Sequence, residues 1–310
     1  MSDSLPLGPG AEFDAIREML RGMGDAARGI GDDAAVMTVP RGEQLLTSVD
    51  AMVEHVHFRR EWMEPEELGW RATMAALSDL AAMGAAPLGI LVAIEVSADW
   101  SSSLGGLAVG IADAARAAGT TIRGGNLSRG EQLSITTTVL GSAFSPLLRL
   151  GAREGEKVYV TGALGGPGAA LARLVAMRRP EPEHRERFVR PHARLAEGQW
   201  LARAGATSAI DVSDGLAADL AHLAAASEVR IEVDVDLLPR MVGLSSHQAL
   251  ASGEEFELVV TARELDTVAF AERFGLALTE IGQVQAGHAE VVLMEAGSRT
   301  AHPGGHDHLR

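Results

Sequence analysis

Aspartate recurs in this chain at places where the surrounding apolar residues give no local reason for it. Gly31-Asp32-Asp33-Ala34-Ala35-Val36, Ser48-Val49-Asp50 and Asp211-Val212-Ser213-Asp214-Gly215-Leu216 set carboxylates at the edges of strand-like runs. Ala75-Ala76-Leu77-Ser78-Asp79-Leu80-Ala81-Ala82-Met83-Gly84-Ala85 carries one inside a helix-forming run that ends at Gly84 and Pro87. An ionised carboxylate in such surroundings is costly to bury unless it is paired, hydrogen-bonded or metal-bound. Two have an ordinary reading: Asp79 on the wet face of an amphipathic helix, and Asp214 favoured by the positive end of a following helix. Asp211 has no such reading. Four such segments converging would make a carboxylate cage for a hard cation such as magnesium.

Composition narrows the chemistry further. The chain has 310 residues, 46% hydrophobic and 22% charged, enough for two ordinary globular domains. A formal net charge of −15 disfavours a general nucleic-acid or anionic-membrane surface. There is no cysteine, which excludes disulfides, thiolate zinc sites and cysteine nucleophiles. The start has no basic region followed by an apolar core, and no apolar stretch reaches spanning length without polar interruption, so a cytoplasmic location is expected. The one lysine, Lys157, lies outside any G-x-x-x-x-G-K-[ST] loop, and Gly165-Gly166-Pro167-Gly168 lacks the lysine of such a loop. Nucleotide phosphates would therefore fall to metal ions, arginine and backbone amides.

The elements that must position these residues follow from periodicity and punctuation. Residues 12–23 read as an amphipathic helix. Residues 34–39 and 44–51 read as a hairpin around Pro40-Arg41-Gly42-Glu43, bringing Asp33 and Asp50 to the same end. His55-Val56-His57 reads as a strand with both imidazoles on one face; without HExxH or a third ligand, contact of one histidine with a substrate is favoured over zinc. A strand at 88–96, a Ser-capped helix at 101–118, a short strand at 120–123 running into Gly124-Gly125-Asn126, and a strand at 133–141 complete the first half. The Arg/Gly/Glu-rich stretch 148–157 marks the boundary between domains 1–148 and 149–310. Beyond it come strands at 158–162, 209–212, 229–235, 256–261, 279–284 and 289–294, with helices at 168–177, through 204, at 216–226 and at 263–274. The His-rich ending through His308 reads as a surface terminus, with a metal tract as the alternative.

Taken in order, Gly31-Asp32-Asp33-Ala34-Ala35, Asp50 with Val53-Glu54-His55-Val56-His57-Phe58, residues 77–85, Gly124-Gly125, Asp211-Val212-Ser213-Asp214-Gly215-Leu216, Gly253-Glu254-Glu255-Phe256-Glu257-Leu258 and Gly305-His306-Asp307-His308 resemble the thiamine-monophosphate kinase family. That family shares a superfamily with aminoimidazole ribonucleotide synthetase, selenophosphate synthetase and a hydrogenase-maturation dehydratase. The absence of cysteine argues against the last two. The resemblance implies an α/β (α+β) chain with the two-domain aminoimidazole ribonucleotide synthetase-like fold, its N-terminal sheets pairing across a homodimer. It implies ATP and thiamine monophosphate as substrates, several Mg2+ ions, K+ as a candidate monovalent cation, and neither nucleic acid nor membrane as partner.

Carried over by position, Asp33, Ser48, Asp50, Asp79, Asn126, Asp211 and Asp214 would serve magnesium, with Asp79 and Asp211 central to catalysis. Gly125, Asn126, Arg149 and Ser213 would meet ATP, and His57, Glu254 and His306 the thiamine phosphate. Five positions depart from the family pattern: Asn126 for an aspartate, Val49 for threonine, Glu255-Phe256 for Asp-Tyr, and His306 for an aromatic residue. Asn126 keeps a carbonyl oxygen but brings no charge. Two alternatives stay open: a paralogue that uses ATP to phosphorylate or activate another small molecule, and one that binds ATP without turnover.

Overall fold

The computed structural model describes residues 10–28, 30 and 34–301. They cluster in two units, one within Met1–Leu80, Ala86–Phe144 and Val189–His192, the other within Ala81–Ala85, Ser145–Phe188 and Ala193–Arg310.

The first unit contains α1 (Ala11–Met23), β1 (Gln44–Val53), most of α2 (Pro65–Ala82), β2 (Ala86–Val96), α3 (Leu104–Ala117), β3 (Ile122–Arg129) and β4 (Ser134–Ala143). Its four strands run in the order β1-β4-β2-β3, all pairings antiparallel except β2 with β3, which α3 connects as a crossover. Alternation gives the sheet two unlike faces. Leu46, Met52, Val92, Ile94, Ile135 and Val139 are buried on one, and α2 packs there, with Leu80 against Gly141. Leu45 and Val49 lie on the other and are 55% and 62% exposed.

Four sequence expectations fail in this unit. Residues 35–40 form no strand, and Val36 is 94% exposed; β1 takes β4 as its partner, with Asp50 opposite Thr137. The hairpin that was to bring Asp33 beside Asp50 is absent, and Asp33 lies outside the described residues. Residues 55–57 are a turn, closed by His57 N donating to Val53 O at 2.9 Å, with His55 at φ +66°. The two histidines therefore share no strand face. Gly124-Gly125-Asn126 lies within β3 rather than after it, and a 3-10 turn, Ala98–Ser103, precedes α3 without a serine side-chain cap.

The second unit holds β5 (Lys157–Thr161), α4 (Gly166–Val175), α5 (Pro182–Val189), α6 (Leu195–Ala204), β6 (Ser208–Asp211), α7 (Leu216–Ser227), β7 (Arg230–Asp234), α8 (Ser246–Ala251), β8 (Leu258–Ala262), α9 (Thr267–Phe274), β9 (Leu278–Gln285), β10 (Glu290–Glu295) and β11 (Ser298–Thr300). The last residue of α5, Val189, falls in the first unit. The strand order is β11-β10-β7-β9-β5-β8-β6, antiparallel apart from β7 with β10. α7 lays Leu216, Leu220 and Leu223 into the core with Val158, Val160, Ile210 and Val212. Because β6 is the edge strand and α7 follows within five residues, the Asp211–Asp214 stretch is held where that edge meets the helix start. Among the described residues no helix is long and apolar enough to cross a membrane.

Candidate functional site

In the first unit, strand alternation places Ser48 and Asp50 on the buried face of β1, while Val49 between them points to the exposed face. α2 presents Asp79 to that face. Across residues 68–82 every residue except Asp79 is buried, so the helix has no wet side to explain it; Asp79 is half-buried. The Ser48 hydroxyl donates to Asp79 Oδ2 at 2.5 Å. Asp50 Oδ1 accepts from Ala51 N at 2.7 Å. Gly125 pairs with Val92, which pairs with Thr137 opposite Asp50, so Gly125 shares the face of Ser48 and Asp50. A Cβ there would lie 2.0 Å from Val92 O, so only glycine fits. Asn126 is in register with Ala93, Thr136 and Ala51 and stands on the opposite, exposed face. This unit joins Ser48 to Asp79 and leaves Asn126 apart from them.

His57 is half-buried, and its Nδ1 accepts from Val53 N at 3.0 Å. That bond makes Nδ1 the acceptor, which puts the ring proton on Nε2. The turn that carries it is pinned by buried Glu54, which accepts from Trp100 Nε1 at 2.9 Å and Leu133 N at 3.1 Å.

In the second unit, Asp211 ends β6 and is buried; Ser213 and Asp214 follow, half-buried, before Gly215 and α7. The turn is closed by Asp219, 1% exposed in the first part of α7, whose Oδ2 accepts from Ser213 N at 3.0 Å and Asp214 N at 3.2 Å. Burial first, then the charges of Asp211 and Asp214, push the Asp219 carboxyl up to about 7. Asp219 was not singled out in the sequence, since an aspartate in a helix's first turns is ordinary there. The same turn binds the candidate substrate segment: Glu254 N donates to Ser213 O at 2.7 Å, and Phe256 N to Val212 O at 2.9 Å. A Cβ at residue 253 would sit 2.7 Å from Ser213 O, so Gly253 permits the approach. Asp211, Ser213, Asp214 and Glu254 are thus brought together. Arg149 is exposed in a segment that runs beside β6, where Leu148 O accepts from Ala209 N. His306 lies outside the described residues.

Lys157 is engaged by Glu264 and Glu280, each at 3.0 Å, on the surface. Its side chain serves that pair of carboxylates rather than a phosphate.

Among the described residues no three His, Asp or Glu side chains stand ready-made around a metal position. The donor chemistry of each unit nevertheless suits Mg2+: hard oxygens only, with a hydroxyl on Asp79 in the first and two aspartate charges close enough to raise a third in the second. Mg2+ is commonly held by one or two carboxylates together with substrate phosphates rather than by an all-protein cage.

The AIR synthase related protein N-terminal domain model matches residues 31–143 of the chain, and the AIR synthase related protein C-terminal domain model matches residues 153–295. The chain is 36% identical over 297 residues to the thiamine-monophosphate kinase of Escherichia coli (strain K12), covering 88% of each. It is 33% identical over 276 residues to that of Bacillus subtilis (strain 168), covering 83% of this chain and 85% of the relative. Among solved structures, thiamine-monophosphate kinase from Stenotrophomonas maltophilia K279a superposes with a TM-score of 0.80 at 32% identity, over 95% of this chain and 98% of that one. AaThiL complexed with AMPPCP and TMP superposes with a TM-score of 0.76 at 30% identity, over 94% of both chains.

Proposed function

Because this chain belongs to the thiamine-monophosphate kinase family of AIR synthase related proteins, we propose that it transfers the γ-phosphoryl group of ATP to the phosphate of thiamine monophosphate, yielding thiamine diphosphate and ADP. The observation that carries this reading in the chain itself is the aspartate turn 211–214, fastened to the Glu254 segment by the bond from Glu254 N to Ser213 O. Two candidate metal-liganding carboxylates and a candidate acceptor contact lie on segments joined by that bond. The similar AaThiL binds an ATP analogue and TMP.

The acceptor phosphate is already anionic at neutral pH, so the transfer needs no strong general base. What it needs is two polyanions brought into line with their charge offset. In this reading Asp33, Asp50, Asp79, Asp211 and Asp214 would hold Mg2+ with Ser48 assisting, and Asn126, on the opposite sheet face, would assist an ion carried by the nucleotide. When bound, Mg2+ neutralises phosphate oxygens and orients them. Ser48 fixes the carboxylate of Asp79 by its hydrogen bond, and Asp219 fixes the 213–214 backbone. Ser213, Arg149, Gly125 and Asn126 attend ATP. His57, Glu254 and His306 would take the acceptor; K+ is a further candidate ion.

The exposed sheet face carrying Leu45 and Val49 pairs with a second copy in this reading, making a homodimer. Asn126 stands on that face and would serve a nucleotide near the subunit boundary.

An end-point assay with ATP and Mg2+, resolving products chromatographically with thiamine monophosphate, with thiamine and with no acceptor, tests the reading. Equal amounts of thiamine diphosphate and ADP, formed with the monophosphate alone, are expected. ADP formed without thiamine diphosphate, or no turnover despite Mg2+-dependent ATP binding, would overturn it.

A further inference from the structure

Glu255 is fully buried between two residues whose backbones lie in the left-handed region, Glu254 at φ +56° and Phe256 at φ +53°. Non-glycine residues, bulky ones above all, hold that conformation only where their surroundings over-determine it. Here the side chain of Glu255 does so. Its Oε1 accepts from Gly165 N at 2.5 Å and from the Ser252 hydroxyl, while Oε2 faces Arg187 Nη2 at 3.6 Å. Ser252 Oγ in turn accepts from Gly168 N at 2.9 Å. The start of α4, whose own N-cap position is Gly165, is therefore capped from the 252–255 segment. Arg187 is held by Glu257 Oε1 at 2.7 Å, and Glu257 is held by Arg194 and by the Thr161 hydroxyl at 2.6 Å. One edge of the segment is thus fastened to α4 and α5, the other to the aspartate turn through Glu254 N and Phe256 N.

We propose that Glu255 is a positioning residue for the acceptor: its clamp on α4 and Arg187 enforces the left-handed pair that sets Glu254 beside Ser213. The proposal rests on the reading of Glu254 as a contact for a phosphorylated acceptor. Glu255 itself touches no substrate, since it is sealed from solvent. The nucleotide side of the site has its own support, the bonds from Ser213 N and Asp214 N to Asp219. Loss of Glu255 should therefore separate the two substrates.

Steady-state kinetics, calorimetric Mg2+-ATP binding and amide hydrogen exchange on Glu255→Ala and Glu255→Gln test this. Glu255→Ala is expected to raise KM for thiamine monophosphate by about tenfold or more, since small misplacements of positioning groups are costly. Its Mg2+-ATP affinity should stay within about twofold of wild type, and the amides of Glu254 and Phe256 should exchange faster. Glu255→Gln keeps an oxygen for Gly165 N and Ser252 and should stay within about threefold in KM. An unchanged acceptor KM in Glu255→Ala, or equal weakening of both substrates with general loss of protection, would overturn the proposal. If Glu255→Ala fails to fold, Ser252→Ala carries the test, with a smaller rise in acceptor KM expected and no rise overturning it. If the wild-type protein makes no thiamine diphosphate, the substrate reading fails by itself; exchange at residues 254 and 256 then decides the clamp, and protection unaltered in both variants overturns it.

Discussion

At Asp79 a half-buried carboxylate receives a hydroxyl bond from Ser48 in a helix whose neighbouring residues are all buried. Asp79→Asn keeps the size and an acceptor oxygen but removes the charge. Turnover is expected to fall by roughly 10²–10³-fold, the scale on which a single electrostatic group contributes to a transition state. The circular dichroism spectrum and urea midpoint should stay close to wild type. Glu255 gives a pH signature at the same scale. Burial pushes its carboxyl from the usual 4.5 up to about 7, against the opposing pull of Ser252, Arg187 and Gly165 N. The folded state therefore keeps a proton that the unfolded chain releases, and the associated stability is present below about pH 4.5 and lost as pH rises toward 7. Glu255→Gln does not titrate. Urea unfolding from pH 4.5 to 7.5 should show wild type losing stability relative to Glu255→Gln; parallel curves would contradict the assignment. Glu257 beside it, though burial works against ionisation, is held below its usual range by Arg194 and Arg187 and contributes no such loss in this window.

Elements decide which of these residues meet. The turn between β6 and α7 depends on Asp219, so Asp219→Ala leaves the Ser213 and Asp214 amides without their acceptor. A loss of about 1–3 kcal/mol is expected from urea unfolding, with Asp219→Asn, which retains an acceptor oxygen, losing less. Stability equal to wild type in both would show that the turn holds without this bond. The local order that the sequence made legible is the kind set by near neighbours: α2 ends at Ala82 with Gly84 at φ +63°, and Asp211 falls at the end of β6 just before α7. Long-range pairing was not legible. The apolar run at 34–39 resembles a hairpin arm, but β1 finds its partner about ninety residues away in β4, and no neighbouring residue signals that choice. His55 and His57 read as strand residues because alternation cannot show the left-handed turn at His55. The structural roles of Asp219 and Glu54 were not legible for a related reason. Asp219 acts through backbone amides and Glu54 through the Leu133 amide and the distant Trp100 indole, partners that carry no mark beside them in the sequence.

For the whole molecule, the described residues of the first unit leave the β1 side of one sheet face exposed. Leu45 and Val49 project from β1 there, in register with Ser142 and Thr138 of β4. A second copy covering this face would bury apolar surface and bring the exposed side of β3, with Asn126, to a subunit boundary. Val49→Glu places a charge in that contact. Light scattering coupled to size-exclusion chromatography should report a dimer for wild type and a shift toward monomer for Val49→Glu; an unchanged dimer would place the interface elsewhere. Of the expected chain-wide features, the mixed α/β architecture follows from the sequence motifs taken in order, since they span both halves of the chain and both matching domain models.

The most direct test of the central claim follows the phosphoryl group itself. ATP carrying 18O on the three terminal oxygens of its γ-phosphorus is incubated with the protein, Mg2+ and thiamine monophosphate, and the products are read by 31P NMR. Direct transfer predicts all three labels on the terminal phosphorus of thiamine diphosphate, formed one-for-one with ADP. Label in inorganic phosphate with thiamine monophosphate left unchanged would contradict the kinase reading at its base.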